Sequence, residues 1–243
     1  MEQNYHGAVD LEFTLGIPDP CSLQPEVIIS LLQCRPQSHI KDAKLISIPK
    51  ELTHDEIIFS LQFMVPQGYV ANIRYVLFVS PEKYYQLCTS TDRNAVGRLV
   101  GKLNSLLPEK GYICVGPGRW GTMNVDLGVY VSYADITHSA ALVEMSGKGI
   151  GPDLEPSLGT HFFQDLMEAE IYPLALILDK EGSIFNHDFF YNTPNCLDRF
   201  ISQEEAGCTC VRLINVASYR PNHHLDLIMD DEKNQAVAFL VHD

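Results

Sequence analysis

The chain has 243 residues, enough to bury a full core as one large domain or one domain with an appendage. Asp and Glu number 31 against 17 Lys and Arg, a net charge of −14, and no lysine- or arginine-rich run offers the basic stripe a nucleic-acid binder uses, so no nucleic-acid partner is expected. No apolar run reaches the roughly 18 residues that span a bilayer, MEQNYHGAVD lacks the pattern of a secretory signal, and seven cysteines follow no zinc spacing; a cytoplasmic protein with reduced thiols and no membrane partner is expected.

In chain order, GAVDLEFTL alternates apolar and polar residues at Val9, Leu11, Phe13 and Leu15, the period of a half-buried strand. A proline-rich turn follows, and Val27 to Leu32 is a second apolar run that stops at Gln33-Cys34-Arg35-Pro36, where proline cannot continue a ladder. The polar stretch from Gln37 to Lys44 reads as a linker. Residues 1–40 therefore form a terminal hairpin, and residues 41–243 form a second domain.

Beyond the linker, strands and helices alternate. Asn72–Val79 is a strand, and Thr91 or Asp92 caps a helix to about Leu107, with Val96, Leu99, Val100 and Leu103 on one face. Tyr112–Val115 is a strand that runs into Gly116-Pro117-Gly118-Arg119-Trp120-Gly121-Thr122. Val129–Tyr133 and Ala141–Met145 are further strands, and SGKGIGPDLEPS is a loop. Thr160 caps a helix through Glu170, Leu174–Leu178 is a buried strand, and Leu197–Ala206 is helical. LDLIMDDEKNQAVAFLV is a hairpin turning around Asp231–Asn234. The fold class is mixed α/β: a mixed sheet with flanking helices, preceded by the β-hairpin.

Asp10-Leu11-Glu12-Phe13 followed by Leu32-Gln33-Cys34-Arg35-Pro36 resembles the closing hairpin of the ATP-grasp nucleotide-binding domain in phosphoenolpyruvate synthases and pyruvate phosphate dikinases. The resemblance implies a C-terminal part of such an ATP-dependent phosphotransferase, with ATP and Mg²⁺ as cofactors and Glu12, Gln33 and Arg35 at the site. The chemistry suits those roles. A carboxylate such as Glu12 supplies hard oxygen to magnesium, and the guanidinium of Arg35 matches phosphate oxygens with a planar fork of donors. The adenine pocket and the basic lobes of that domain are expected on an upstream ATP-grasp domain or subunit, which leaves the chain catalytically incomplete alone. The motifs VSPEKYYQL, GRLVGKLN, GPGRWGT, LGVYVSYADI and SLGTHFFQDL are similar to a region following the ATP-grasp part in some dikinase-like proteins.

Two further places suit a small phosphorylated or carboxylated ligand. In the loop after Val115, Gly116 and Gly118 permit close backbone approach, Arg119 offers a cation, and Trp120, the only tryptophan, offers a ring to stack or cover. The alternative is a tight turn whose arginine pairs with a carboxylate while its tryptophan packs. Arg98 and Lys102, one helical turn apart, would add to a basic pocket. The start of the helix at Gly159-Thr160-His161 favours an anion, and His161 titrates near neutrality, which suits a ligand contact or an acid–base catalyst. A stand-alone anion- or nucleotide-binding module built on GPGRWG is the alternative function. His138 in THSAAL lacks the glycine-rich lead-in of a phosphohistidine motif. His223 and His224, as neighbours on a strand, point to opposite faces and do not share a metal.

Overall fold

Apolar runs at period two build most of the scaffold of the computed structural model, which describes residues 9–22, 24–36, 46–152, 156–157, 161–202 and 204–243. The chain divides into two compact units, Met1–His39 and Ile40–Asp243. The fold is mixed α/β, with twelve strands in three sheets and short helices among the described residues.

The first unit is an antiparallel hairpin of β1 (Val9–Gly16) and β2 (Ile28–Pro36). The register pairs Asp10 with Arg35, Glu12 with Gln33, Phe13 with Leu31 and Leu15 with Ile29, and a bulge between Glu12 and Phe13 leaves Leu32 without an opposite residue. Alternation thus separates the positions of Leu11, Phe13, Leu15, Ile29 and Leu31 from those of Glu12, Thr14, Ser30 and Gln33.

The second unit holds two five-stranded sheets. Four strands are parallel, β5 (Tyr75–Val79), β6 (Tyr112–Pro117), β7 (Ser139–Ser146) and β8 (Tyr172–Ile177), and β10 (Val211–Asn215) closes the β5 edge antiparallel, in the order β10-β5-β6-β7-β8. The other sheet is antiparallel throughout, β4-β11-β12-β3-β9, from β3 (Ile57–Leu61), β4 (Gly68–Ile73), β9 (Ile184–Phe185), β11 (His223–Asp230) and β12 (Gln235–His242).

The parallel strands are apolar on both faces, as strands covered on both sides must be. Val76, Phe78, Ile113, Val115, Val143 and Leu174 pack with Phe59, Leu225, Leu227 and Ala238 of the antiparallel sheet. Leu77, Val79, Cys114 and Leu142 face the helices α2 (Ser90–Asn104) and α3 (His161–Glu168), through Val96, Leu99, Val100, Leu103, Phe163 and Leu166. Three layers result: helices, parallel sheet, antiparallel sheet. The shorter helices α1 (Pro81–Gln86), α4 (His187–Asn192) and α5 (Val216–Tyr219) complete the set.

Four expectations change. The strand over Asn72–Val79 is two strands in different sheets: Asn72 takes φ +60°, a bulge interrupts β11 where it pairs with β4, and Arg74 carries the chain across to β5. Asn tolerates that left-handed backbone better than most residues. The apolar alternation of Val129–Tyr133 forms no strand: Val129 and Val131 are buried against the helix layer, and the chain enters a short 3-10 turn at Tyr133–Asp135. Leu197–Ala206 is a single 3-10 turn, Leu197–Arg199, followed by turns. The long helix begins earlier than expected, at Ser90, because Thr89 Oγ1 accepts the amide of Asp92 and caps it. The final hairpin turns at Asp231–Asn234 as expected, with Asn234 at φ +49°.

Candidate functional site

The carboxyl ends of β5, β6, β7 and β8 lie along one edge of the parallel sheet, where α/β proteins place their ligands. The GPGRWG loop leaves β6 at this edge. Gly118 and Gly121 take φ +62° and +73°, as the turn requires, and a Cβ on Gly118 would lie 2.1 Å from the carbonyl oxygen of Leu127.

The backbone amides of this loop are all engaged within the protein. Gly118 donates to Met145 O at 2.8 Å, Arg119 to Leu127 O at 2.9 Å, Trp120 to Glu144 Oε1 at 3.0 Å and Gly121 to Val129 O at 3.0 Å. An anion therefore finds no cradle of free N–H groups here, and the expectation of close backbone approach is replaced by an internal ladder. Trp120 is 1% exposed, with its ring over Gly116, where a Cβ would meet Cζ2 at 2.6 Å. The indole packs the helix-side core and offers no face to a ligand. Arg119 is partly exposed, and its charge favours the ionised form of Glu144.

The loop beyond Gly121 is equally well fixed. Tyr84 of α1 donates its hydroxyl to the carbonyls of Val125 (2.9 Å) and Gly128 (2.7 Å). Arg93 pairs with Asp126, and Gly118 forms a bridge with Gly128 that closes the loop at its base. Tyr85 lies beside both glycine-rich segments, since a Cβ on Gly118 or on Gly151 would meet its ring or hydroxyl within 3 Å.

Glu144 is the functional candidate that the sequence reading passed over. It sits in β7 between Val143 and Met145, flanked in the register by Gly116 and Ala175, and is 2% exposed. Its two carboxylate oxygens accept two amides from different segments, Trp120 at 3.0 Å and Ser157 at 2.7 Å. Burial pushes its carboxyl up to about 7, against the lowering effects of those hydrogen bonds and of Arg119. A lone carboxylate inside the apolar run AALVEM was the available signal.

Of the two basic residues expected beside the loop, Lys102 does not join Arg119. The helix α2 runs back from the carboxyl edge to the amino edge before β6 begins, so Lys102, in its last turn, lies toward the opposite edge, paired with Glu205 at 2.8 Å. His161 opens α3, which follows the loop after β7 and so starts at the carboxyl edge, but its side chain, and the capping residues Gly159 and Thr160, lie outside the described residues. His223 and His224 diverge as expected: His223 stacks edge-on to His242, while His224 contacts Asp226 (3.3 Å) and Asp243 (2.7 Å). The thiols of Cys114, Cys196, Cys208 and Cys210 are all raised, chiefly by burial, so none of these is an activated nucleophile.

In the hairpin unit, Glu12 and Gln33 are exposed on directly opposed positions, with Asp10 opposite Arg35 two positions along. The side chain of Arg35 lies outside the described residues, as does the linker 37–45. Among the described residues, no group of three or more His, Cys, Asp or Glu side chains is placed to hold a metal ion, and no helix is long and apolar enough to cross a membrane.

Comparison with protein-family models, with curated proteins and with solved structures finds no match to this chain.

Proposed function

We propose that the chain is the C-terminal part of an ATP-dependent phosphotransferase of the phosphoenolpyruvate synthase and pyruvate phosphate dikinase type, and that its hairpin is one wall of a nucleotide site. The observation that carries this is the ladder register: it sets Glu12 against Gln33 and Asp10 against Arg35, so the acidic, amide and basic positions alternate onto one side of the hairpin. Glu12 would supply one oxygen to a magnesium ion whose remaining ligands are phosphate oxygens and water, which is how Mg²⁺ is usually held beside a nucleotide. Arg35 would fork onto a phosphate and Gln33 would hydrogen-bond beside it. Bound MgATP supplies the phosphoryl group; the hairpin's part is to orient it. Two strands cannot enclose a nucleotide, whose sites bury most of the ligand surface, so the remaining walls belong to polypeptide outside the hairpin.

The test is to titrate the isotope-labelled chain with MgATP and follow backbone amides. Expected are millimolar shifts at Glu12, Gln33 and Arg35 that vanish in Arg35→Gln. Shifts confined to residues 46–243, or none in the hairpin, would overturn the assignment.

A second reading, a stand-alone anion-binding module, has the partly exposed Arg119 at the carboxyl edge in its favour. Because the loop amides are engaged, it reduces to a side-chain contact from Arg119. Titration with phosphoenolpyruvate and pyruvate, with Arg119→Gln as the control, separates it from the first.

A further inference from the structure

The open end of the closing ladder sets two imidazoles edge to face. His223 of β11 lies opposite His242 of β12, two positions beyond the core pair Leu225–Leu240 and so on the same side of the sheet. One residue further along, the amide of Asp243 donates to Asn222 O at 2.9 Å. That pair is therefore the hydrogen-bonded kind and His223–His242 the non-bonded kind, whose side chains stand closest. The ring centroids are 5.1 Å apart, with the planes at 73°.

Each ring is tied back by one nitrogen. His223 Nδ1 lies 2.8 Å from Pro221 O, and His242 Nδ1 lies 3.0 Å from the main-chain oxygen of Asp243. A main-chain oxygen only accepts, so in both rings Nδ1 carries the proton and the neutral ring keeps its lone pair on Nε2. Among the described residues neither Nε2 has a hydrogen-bond partner. Metal-bound histidines are oriented in this way: one nitrogen donates to a carbonyl, which fixes the tautomer and leaves the other for the ion. The nearby charge is balanced. Glu56, whose carbonyl receives the amide of Leu240, has its carboxyl held below the usual range, first by the hydroxyl and amide of Thr53 and to a smaller extent by Arg220 and His223. Its carboxylate offsets the guanidinium of Arg220.

We infer that His223 and His242 form a two-histidine site for a divalent transition metal, each giving the lone pair of Nε2, with water completing the coordination shell. Imidazole nitrogen suits Zn²⁺, Ni²⁺ and Cu²⁺, whereas Mg²⁺ and Ca²⁺ demand oxygen. Bonds of about 2.0–2.1 Å to both nitrogens bring the Nε2 atoms roughly 3 Å apart, a short adjustment for two partly exposed rings already in edge contact. His224, on the other face of the strand, is engaged with Asp226 and Asp243 and takes no part. With two protein ligands the shell stays open, which suits reversible binding rather than a closed structural centre. The site lies wholly in the larger unit and is independent of the nucleotide contact proposed for the hairpin.

Zinc titration of the full chain, followed by the ring nitrogens in long-range ¹H–¹⁵N spectra, tests it. Expected are shifts of Nε2 in both His223 and His242 along one binding curve, while both Nδ1 stay protonated. His223→Gln and His242→Gln should each weaken Zn²⁺ binding there roughly tenfold or more, and the double variant should be little worse than either. His187→Gln should change nothing, and excess Mg²⁺ should not compete. Zinc shifts confined to other histidines, separate curves for the two rings, displacement by Mg²⁺, or an affinity untouched by both substitutions would overturn the inference and leave a ring contact only. The ring shifts are read on the unaltered chain, so they decide even where a variant fails to fold.

Discussion

Gly116 and Gly118 hold the loop geometry for different reasons. At Gly116 the absent side chain makes room for Trp120; at Gly118 the left-handed backbone and the carbonyl of Leu127 both exclude a Cβ. Gly116→Ala should cost about 1–3 kcal/mol by overpacking. Gly118→Ala should cost more, about 2–4 kcal/mol, because strain adds to the clash. Urea midpoints of the two variants check the order, and a Gly118→Ala protein as stable as the unaltered chain would contradict the loop's geometry. At this scale the sequence was partly legible. GPGRWG announced a turn needing glycine, but it could not say that the loop amides would find carbonyls of Met145, Leu127 and Val129, which are 8 to 27 residues away in the chain. Trp120 likewise reads equally well as a ligand platform or as core until its neighbours are known. Glu144 was legible in principle, since a carboxylate in an apolar strand needs partners, but those partners come from two other segments.

At the scale of elements, periodicity carried the reading wherever both ends of a strand had clear stops. The hairpin β1–β2, the strands β6 to β8 and the closing pair β11–β12 all follow from period-two or continuous apolar runs bounded by Gly, Pro, Asn or Asp. It failed where tertiary contacts substitute for a ladder. Val129 and Val131 alternate like a strand, yet Tyr84 binds the carbonyls around them and the loop closes through Gly118 and Gly128. Arg74 divides one apolar run between two sheets with no composition change to mark it. The role of Tyr84 is testable: Tyr84→Phe leaves the carbonyls of Val125 and Gly128 without that donor and should cost about 1–2 kcal/mol. Exchange of the amides from Thr122 to Leu127 should rise in the same variant while β5 and β6 stay protected; loss confined to the global unfolding transition would show that the hydroxyl does not fix this loop.

For the whole molecule, the two units present different surfaces. The larger unit buries its apolar strands on both faces, whereas the hairpin leaves Phe13, Leu15, Ile29 and Leu31 between 45% and 65% exposed, with Glu12 and Gln33 also in water. A two-stranded ribbon of this kind gains little stability alone, which fits an element whose remaining walls are supplied by other polypeptide. We propose that this ribbon contributes a nucleotide contact without forming a whole site. Calorimetric titration of the full chain with MgATP measures that most directly. Expected is binding in the millimolar range, roughly −4 kcal/mol, that weakens in Glu12→Gln and Arg35→Gln. Micromolar affinity in the unaltered chain, or affinity indifferent to both substitutions, would contradict it.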